Sequence, residues 1–266
     1  MKPRNKCFAR SGWGIILAIS ALLLYELCTS AQADSSPDQQ RRLEAYYDLG
    51  RPEGSGPFPA VMMVSGCEGF ASPQFKDRYV RVARNLKDQG FVVVKVDYLA
   101  ARGESRCWHV YQKDVVHDIT RATMYLRAQP FVKTTAINVI GWSFGGGMAL
   151  IALSEGDNRP AAPVNAVAAY CPYFDSSLFL SPWNVDVPVL ILCGDQDTTA
   201  PPSRVQDLLS QLPVRDRVKF IVYPNAYHGF DNSDLPPKLL TPNGTRGYNE
   251  KAAKAAWEEV ERFLRR

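Results

Sequence analysis

Residues 136–153 read AINVIGWSFGGGMALIAL, and no other stretch of the chain narrows its possible folds as much. A short β-branched run, Ile137, Val139 and Ile140, leads into Gly141-Trp142-Ser143-Phe144-Gly145, and strong helix formers follow. Strand, sharp turn and helix with a serine at the corner is the layout of a nucleophile elbow, and the flanking glycines leave room for the backbone. G-x-S-x-G alone arises by chance in roughly one chain in ten of this length, so the flanks carry the argument. The turn lacks the Lys-Ser/Thr of a P-loop and the G-x-G-x-x-G spacing of a dinucleotide site, which removes two phosphate-binding readings.

The rest of the chain repeats the alternation of apolar strand and amphipathic helix. Residues 60–64 read as a strand, 65–69 as a glycine-rich loop, and Phe75, Tyr79, Val82 and Leu86 as one face of a helix that Gly90 closes. A strand at 91–96 precedes a second helix marked by Val115, Ile119, Ala122 and Leu126. Strands are expected at 164–170, 187–193 and 218–223, and a last helix carries Ala253, Ala256, Trp257, Val260 and Leu264 on one face. The alternation of Leu43, Ala45 and Tyr47 suggests an edge strand over 41–48, and 232–249 reads as an extended loop. Together these predict an α/β fold with a mainly parallel central sheet and helices on both faces, whose ligands sit beyond the carboxyl ends of the strands.

The N-terminus is set apart from this domain. Lys2, Arg4, Lys6 and Arg10 form a basic start, residues 14–24 an apolar core, and Ala31-Gln32-Ala33 a small-x-small cleavage site. That is the pattern of a secretory signal peptide over 1–33, leaving 34–266 as a single exported domain, periplasmic or extracellular. The apolar stretch is short for a bilayer span, so no stable membrane association is expected after cleavage. Removing Lys2, Arg4, Lys6, Arg10 and Glu26 takes the formal charge from +4 to near +1, and no basic patch for nucleic acid remains. Of the four remaining cysteines, Cys67 and Cys107 fall in loops at one end of the sheet and are the favoured pair if a bridge forms, four free thiols being the alternative, whereas Cys193 ends an apolar strand and is expected to be buried with it.

An elbow serine needs a base that takes its proton near neutral pH, and histidine suits this. In folds with this elbow the chain order is serine, acid, histidine. Of the three histidines, His109 and His117 precede Ser143, which leaves His228 in the loop after the last strand. The acid must lie between them on a strand-end loop; Asp197 is preferred, with Asp195 read as a turn former and Asp175 as a third candidate. The N–H groups of Phe144 and Cys67 are the expected oxyanion donors. Glu68 reads as a solvated loop carboxylate or, alternatively, a substrate contact. Tyr98, Trp108, Trp142, Tyr173, Phe174 and Trp183 are candidates for an aromatic pocket, and about half of them would be core. No metal or organic cofactor is expected.

With these motifs in hand, the chain resembles the dienelactone hydrolase family of the α/β-hydrolase fold. The resemblance rests on Gly66-Cys67-Glu68-Gly69, Val96-Asp97-Tyr98 with Arg102-Gly103, Gly141-Trp142-Ser143-Phe144-Gly145-Gly146, Gly194-Asp195-Gln196-Asp197 and Tyr227-His228-Gly229-Phe230. It supports Asp197 as the acid and implies hydrolysis of a small-molecule ester. Two positions depart from the family pattern. The namesake enzymes use cysteine where Ser143 stands, and they hold a substrate carboxylate with two arginines. Arg102 resembles the first arginine, one residue displaced; the second position holds Asn232. A serine nucleophile suits ordinary carboxylic ester cleavage through an acyl-enzyme, with Ser143, Asp197 and His228 as the triad and Arg102 and Trp142 as substrate contacts. A prolyl-oligopeptidase-like peptidase and a non-catalytic binding protein on the same fold are the alternatives.

Overall fold

The computed structural model describes residue 44 and residues 47–154, 162–175, 186–211 and 216–266. A seven-stranded sheet forms the centre, in the order β1-β3-β2-β4-β5-β6-β7. Its strands are β1 (Tyr47–Gly50), β2 (Phe58–Val64), β3 (Val92–Val96), β4 (Val132–Trp142), β5 (Ala166–Tyr170), β6 (Val189–Gly194) and β7 (Val218–Tyr223). Only β1 runs antiparallel, pairing with β3 from Tyr47↔Val96 to Gly50↔Val93; the other pairings are parallel. The expected architecture, a mainly parallel sheet of the α/β-hydrolase type, is the observed one.

The helices are α1 (Lys76–Asp88), α2 (Gln112–Arg127), α3 (Phe144–Ile151), α4 (Pro202–Ser210) and α5 (Glu250–Leu264). Successive side chains of a strand point to opposite faces, so each central strand feeds two cores. Ala60, Met62 and Val64 of β2 join Val115, Ile119 and Leu126 of α2 and Met148 of α3 on one face. Val61 and Met63 join Tyr79 and Leu86 of α1 and Ala256 and Val260 of α5 on the other. Residues 60–64 are therefore a continuous apolar run because both of their faces are dry.

Four elements differ from the sequence reading, one of them α4, for which no helix was expected. Of the edge strand expected over 41–48, Tyr47 and Asp48 are strand, paired with β3, and Glu44 is helical, while 41–43 and 45–46 lie outside the described residues. β4 extends back to Val132 through Lys133, Thr134 and Thr135, its pairing with β2 shifting register between Phe58 and Ala60. The stretch expected to be an extended loop contains an antiparallel hairpin, β8 (Leu239–Thr241) and β9 (Gly244–Arg246), whose three-residue strands are too short to show a period. The segment 1–33 lies outside the described residues. No helix among the described residues is long and apolar enough to cross a membrane.

Candidate active site

Ser143 sits between β4 and α3 with φ 48° and ψ −118°, a backbone conformation that L residues adopt only under local constraint. The constraint comes from the end of β5: Ser143 N–H donates to the Tyr170 carbonyl at 2.8 Å, and its own carbonyl accepts from Gly147 N–H and Tyr173 N–H at 2.9 Å each. Two close approaches assemble the site around this corner. A Cβ on Gly145 would lie 2.3 Å from the Ser65 carbonyl oxygen, so glycine lets the start of α3 pack against the end of β2. A Cβ on Gly194 would lie 2.1 Å from the Ala226 carbonyl oxygen, so glycine there lets the loop after β6 meet the loop after β7.

Those two loops carry Asp197 and His228. His228 Nε2 lies 3.0 Å from Ser143 Oγ, and His228 Nδ1 lies 2.7 Å from Asp197 Oδ2. A carboxylate can only accept, so the short contact places a proton on Nδ1 and leaves Nε2 free to receive one from Ser143. The other carboxylate oxygen of Asp197 accepts Thr199 N–H at 2.9 Å and Ala200 N–H at 2.7 Å, which fixes the carboxylate plane. Asp197 and His228 are buried and Ser143 is half-buried. Asp195 is exposed and accepts the Ala226 N–H, a turn-forming role, and Asp175 is exposed. His109 is at the surface beside Glu104, and His117 is half-buried on α2.

Phe144 is the first residue of α3, so its N–H has no intrahelical acceptor. No protein acceptor among the described residues takes the Phe144 or the Cys67 N–H. Cys67 is bridged to Cys107, the expected pairing, while Cys171 and Cys193 are free and buried. Burial, reinforced by the Asp197 carboxylate, raises both free thiols well above the ordinary cysteine value. Both are therefore neutral thiols, and the residue at the elbow corner is Ser143.

Above Ser143 opens a cleft of about 390 Å³, bounded by Cys67, Phe144, Trp108, Tyr173, Arg204 and Arg246 among others. Of the aromatic candidates, Trp108 and Tyr173 reach this cleft, whereas Tyr98, Trp142 and Phe174 are core residues. Trp183 lies outside the described residues. Trp142 stacks on Tyr170 and donates its indole N–H to Asp231 at 2.8 Å, so it braces the elbow from below. Arg102 is not a cleft residue: its guanidinium donates to Asp118 at 2.6 Å and to the Tyr98 carbonyl at 2.8 Å. The buried Asp118 claims it, because an unpaired carboxylate in that position would be costly. Glu68 is also not the solvated carboxylate expected from the sequence. It is largely buried and pairs with Arg246 of β9 at 2.5 Å and with Arg106 at 3.8 Å.

Arg246 was not legible as a site residue in the sequence. It arrives through the β8–β9 hairpin, which docks on the histidine loop by a bridge between His228 and Arg246. Arg204, from the first turn of α4, is a second cationic side chain on the cleft that no motif flagged. The Asn232 position is buried and donates to the Gln74 carbonyl at 3.0 Å.

Residues 43–266 match the model of the dienelactone hydrolase family. The chain belongs to that family. It is accordingly an ester-cleaving hydrolase of the α/β-hydrolase fold. Among curated relatives, a Bradyrhizobium protein assigned as a 2-oxo-3-(5-oxofuran-2-ylidene)propanoate lactonase is 22% identical over 246 residues, 82% of this chain and 87% of that protein. A Salmonella typhimurium protein assigned as a carboxymethylenebutenolidase is 24% identical, covering 87% of this chain and 85% of that one. Among solved structures, a Klebsiella pneumoniae protein assigned as a dienelactone hydrolase superposes with a TM-score of 0.65 at 18% identity, covering 82% of this chain and 91% of that one. Thermogutta terrifontis esterase 2 phosphorylated by paraoxon superposes with a TM-score of 0.59 at 19% identity, covering 81% and 86%. At such identities these superpositions speak to the fold of this dienelactone hydrolase family member.

Proposed function

We propose that the protein is an exported serine carboxylesterase that works through an acyl-enzyme. Ser143 Oγ attacks the ester carbonyl while its proton passes to His228 Nε2. Asp197 holds the imidazole in the productive tautomer and stabilises the imidazolium. The N–H groups of Cys67 and Phe144 receive the developing oxyanion. His228 then protonates the leaving alcohol, and a water repeats the sequence to release the acid. The observation that carries this reading is the unbroken relay of 3.0 Å and 2.7 Å ending on a strained elbow serine.

Small esters and lactones suit the cleft. Arg106, Arg204 and Arg246 face it with Glu68 as counter-charge, which favours substrates carrying an anionic group. Export is supported by the basic, apolar and Ala-x-Ala pattern of 1–33 and by the Cys67–Cys107 bridge, which suits an oxidising compartment.

A chain-length series of p-nitrophenyl esters, extended by one ester bearing a carboxylate, tests the proposal on the chain beginning at Asp34. Turnover that falls with acyl length and disappears in Ser143→Ala is expected. Equal turnover by wild type and Ser143→Ala would refute it.

A further inference from the structure

The N–H assigned to the oxyanion hole belongs to a peptide whose carbonyl is held by a buried side chain. The Gly66 carbonyl accepts the Tyr98 hydroxyl at 2.9 Å and the Gly69 N–H at 3.0 Å. The Gly66 C=O and the Cys67 N–H are the two ends of one planar unit, pointing in opposite directions. Whatever fixes that carbonyl therefore aims that N–H. A hydrogen bond at the carbonyl also polarises the unit and makes its N–H a better donor.

The preceding peptide is held as well. The Gly66 N–H donates to the Tyr79 hydroxyl at 2.9 Å. The same hydroxyl accepts from Arg78 Nη2 at 2.8 Å. Arg78 is buried, and its Nη1 pairs with Asp231 at 3.2 Å. Asp231 in turn accepts the indole N–H of Trp142, the neighbour of Ser143, and lies three residues after His228. One guanidinium thus ties the anchor of the oxyanion loop to the elbow and to the histidine loop. Both tyrosines are almost fully buried, Tyr98 at 0% and Tyr79 at 2% exposure, so water does not compete for these bonds. Burial also raises both phenols above their ordinary value, which keeps Tyr98 a donor throughout the neutral range.

We propose that Tyr98 and Tyr79 are positioning residues of the oxyanion hole, their hydroxyls locking two successive peptides so that the Cys67 N–H points at the reacting carbonyl oxygen. The proposal rests on the serine esterase reading and goes beyond it by assigning two residues that touch neither substrate nor triad. Their contribution belongs to the transition state, because the oxyanion forms only there.

The test uses Tyr98→Phe and Tyr79→Phe, each removing one oxygen and keeping the ring. Steady-state hydrolysis of p-nitrophenyl acetate is measured beside inhibition by an alkyl trifluoromethyl ketone. With that ketone the Ser143 Oγ–C bond forms, the carbonyl oxygen becomes an oxyanion, and the hydroxyl proton moves to His228. Losing a whole donor costs about 10²–10³ in rate, so misaiming one is expected to lower kcat about tenfold, with KM within twofold. The ketone's Ki should rise by the same factor, while the Ki of the corresponding unreactive alkyl methyl carbinol stays constant. A purely structural role would not produce that split. Should either variant fold poorly, the wild-type amide spectrum decides: the Cys67 N–H resonance is expected to move downfield on ketone binding. Folded variants with unchanged kcat and ketone Ki, or a Cys67 resonance that does not move, would overturn the proposal alone. A wild type that cleaves no ester and binds no ketone would overturn it together with the esterase reading.

Discussion

Breaking the Cys67–Cys107 bridge should cost the protein stability and rate together. The bridge closes a loop with a sequence separation of 40. Releasing that constraint on the unfolded chain is worth about 4 kcal/mol in the loop-closure model. For a domain of this size 1 kcal/mol moves Tm by about 2–4 °C, so the double variant Cys67→Ser/Cys107→Ser should melt about 8–16 °C below the wild type. Both cysteines are only half-buried, so little packing is lost with them and the loop term dominates. The rate should fall too. Cys107 N–H donates to the Cys67 carbonyl at 3.0 Å, and the bridge holds the oxyanion loop against the segment that carries Arg106 and Trp108 to the cleft. Calorimetry of the double variant and of wild type before and after reduction, with thiols titrated under denaturing conditions, gives the result directly. If two additional thiols appear on reduction while Tm stays within about 2 °C, the reasoning fails.

Three further outcomes follow from the same geometry. Asp197→Asn should lower kcat by about 10³–10⁴ because an amide no longer fixes the imidazole tautomer, whereas Asp195→Asn should stay within about threefold; parallel steady-state assays separate the two carboxylates. Arg102→Met removes the 2.6 Å partner of a buried carboxylate and leaves Asp118 with Arg121 at 3.6 Å; thermal melts should show a loss of up to about 3–5 kcal/mol with kcat/KM nearly unchanged at 25 °C. Cys171 and Cys193, held protonated by burial, should resist iodoacetamide in the native protein at pH 8, and full ester turnover should survive that treatment, read by intact mass and residual activity.

Ser143, Asp197 and His228, which the structure brings together, were legible because each sits in a motif whose chemistry is local. Ser143 needs its glycines and its strand, and His228 is the histidine that follows the serine in chain order. A helix was legible where its period ran long enough, as for α2, and a strand where an unbroken apolar run marked it, as for β6. What stayed hidden depends on contacts between distant segments. Arg246 lies on a three-residue strand and reaches Glu68 only because the hairpin docks on the histidine loop. Arg102 resembled a family arginine, one residue displaced, yet the identity of its partner, Asp118, was invisible until α2 brought that carboxylate to it. Arg78 occupies a polar position of an amphipathic helix, which pattern alone assigns to solvent; Asp231 and Tyr79 draw it inside.

The most direct test of the account is covalent. The chain beginning at Asp34, treated with a fluorophosphonate and examined by intact mass and peptide mapping, should gain a single adduct at Ser143. Ser143→Ala should remain unlabelled, and His228→Ala should label slowly. Labelling of Ser143→Ala at the wild-type rate, or an adduct mapping to another residue, would contradict the claim that Ser143 is the nucleophile.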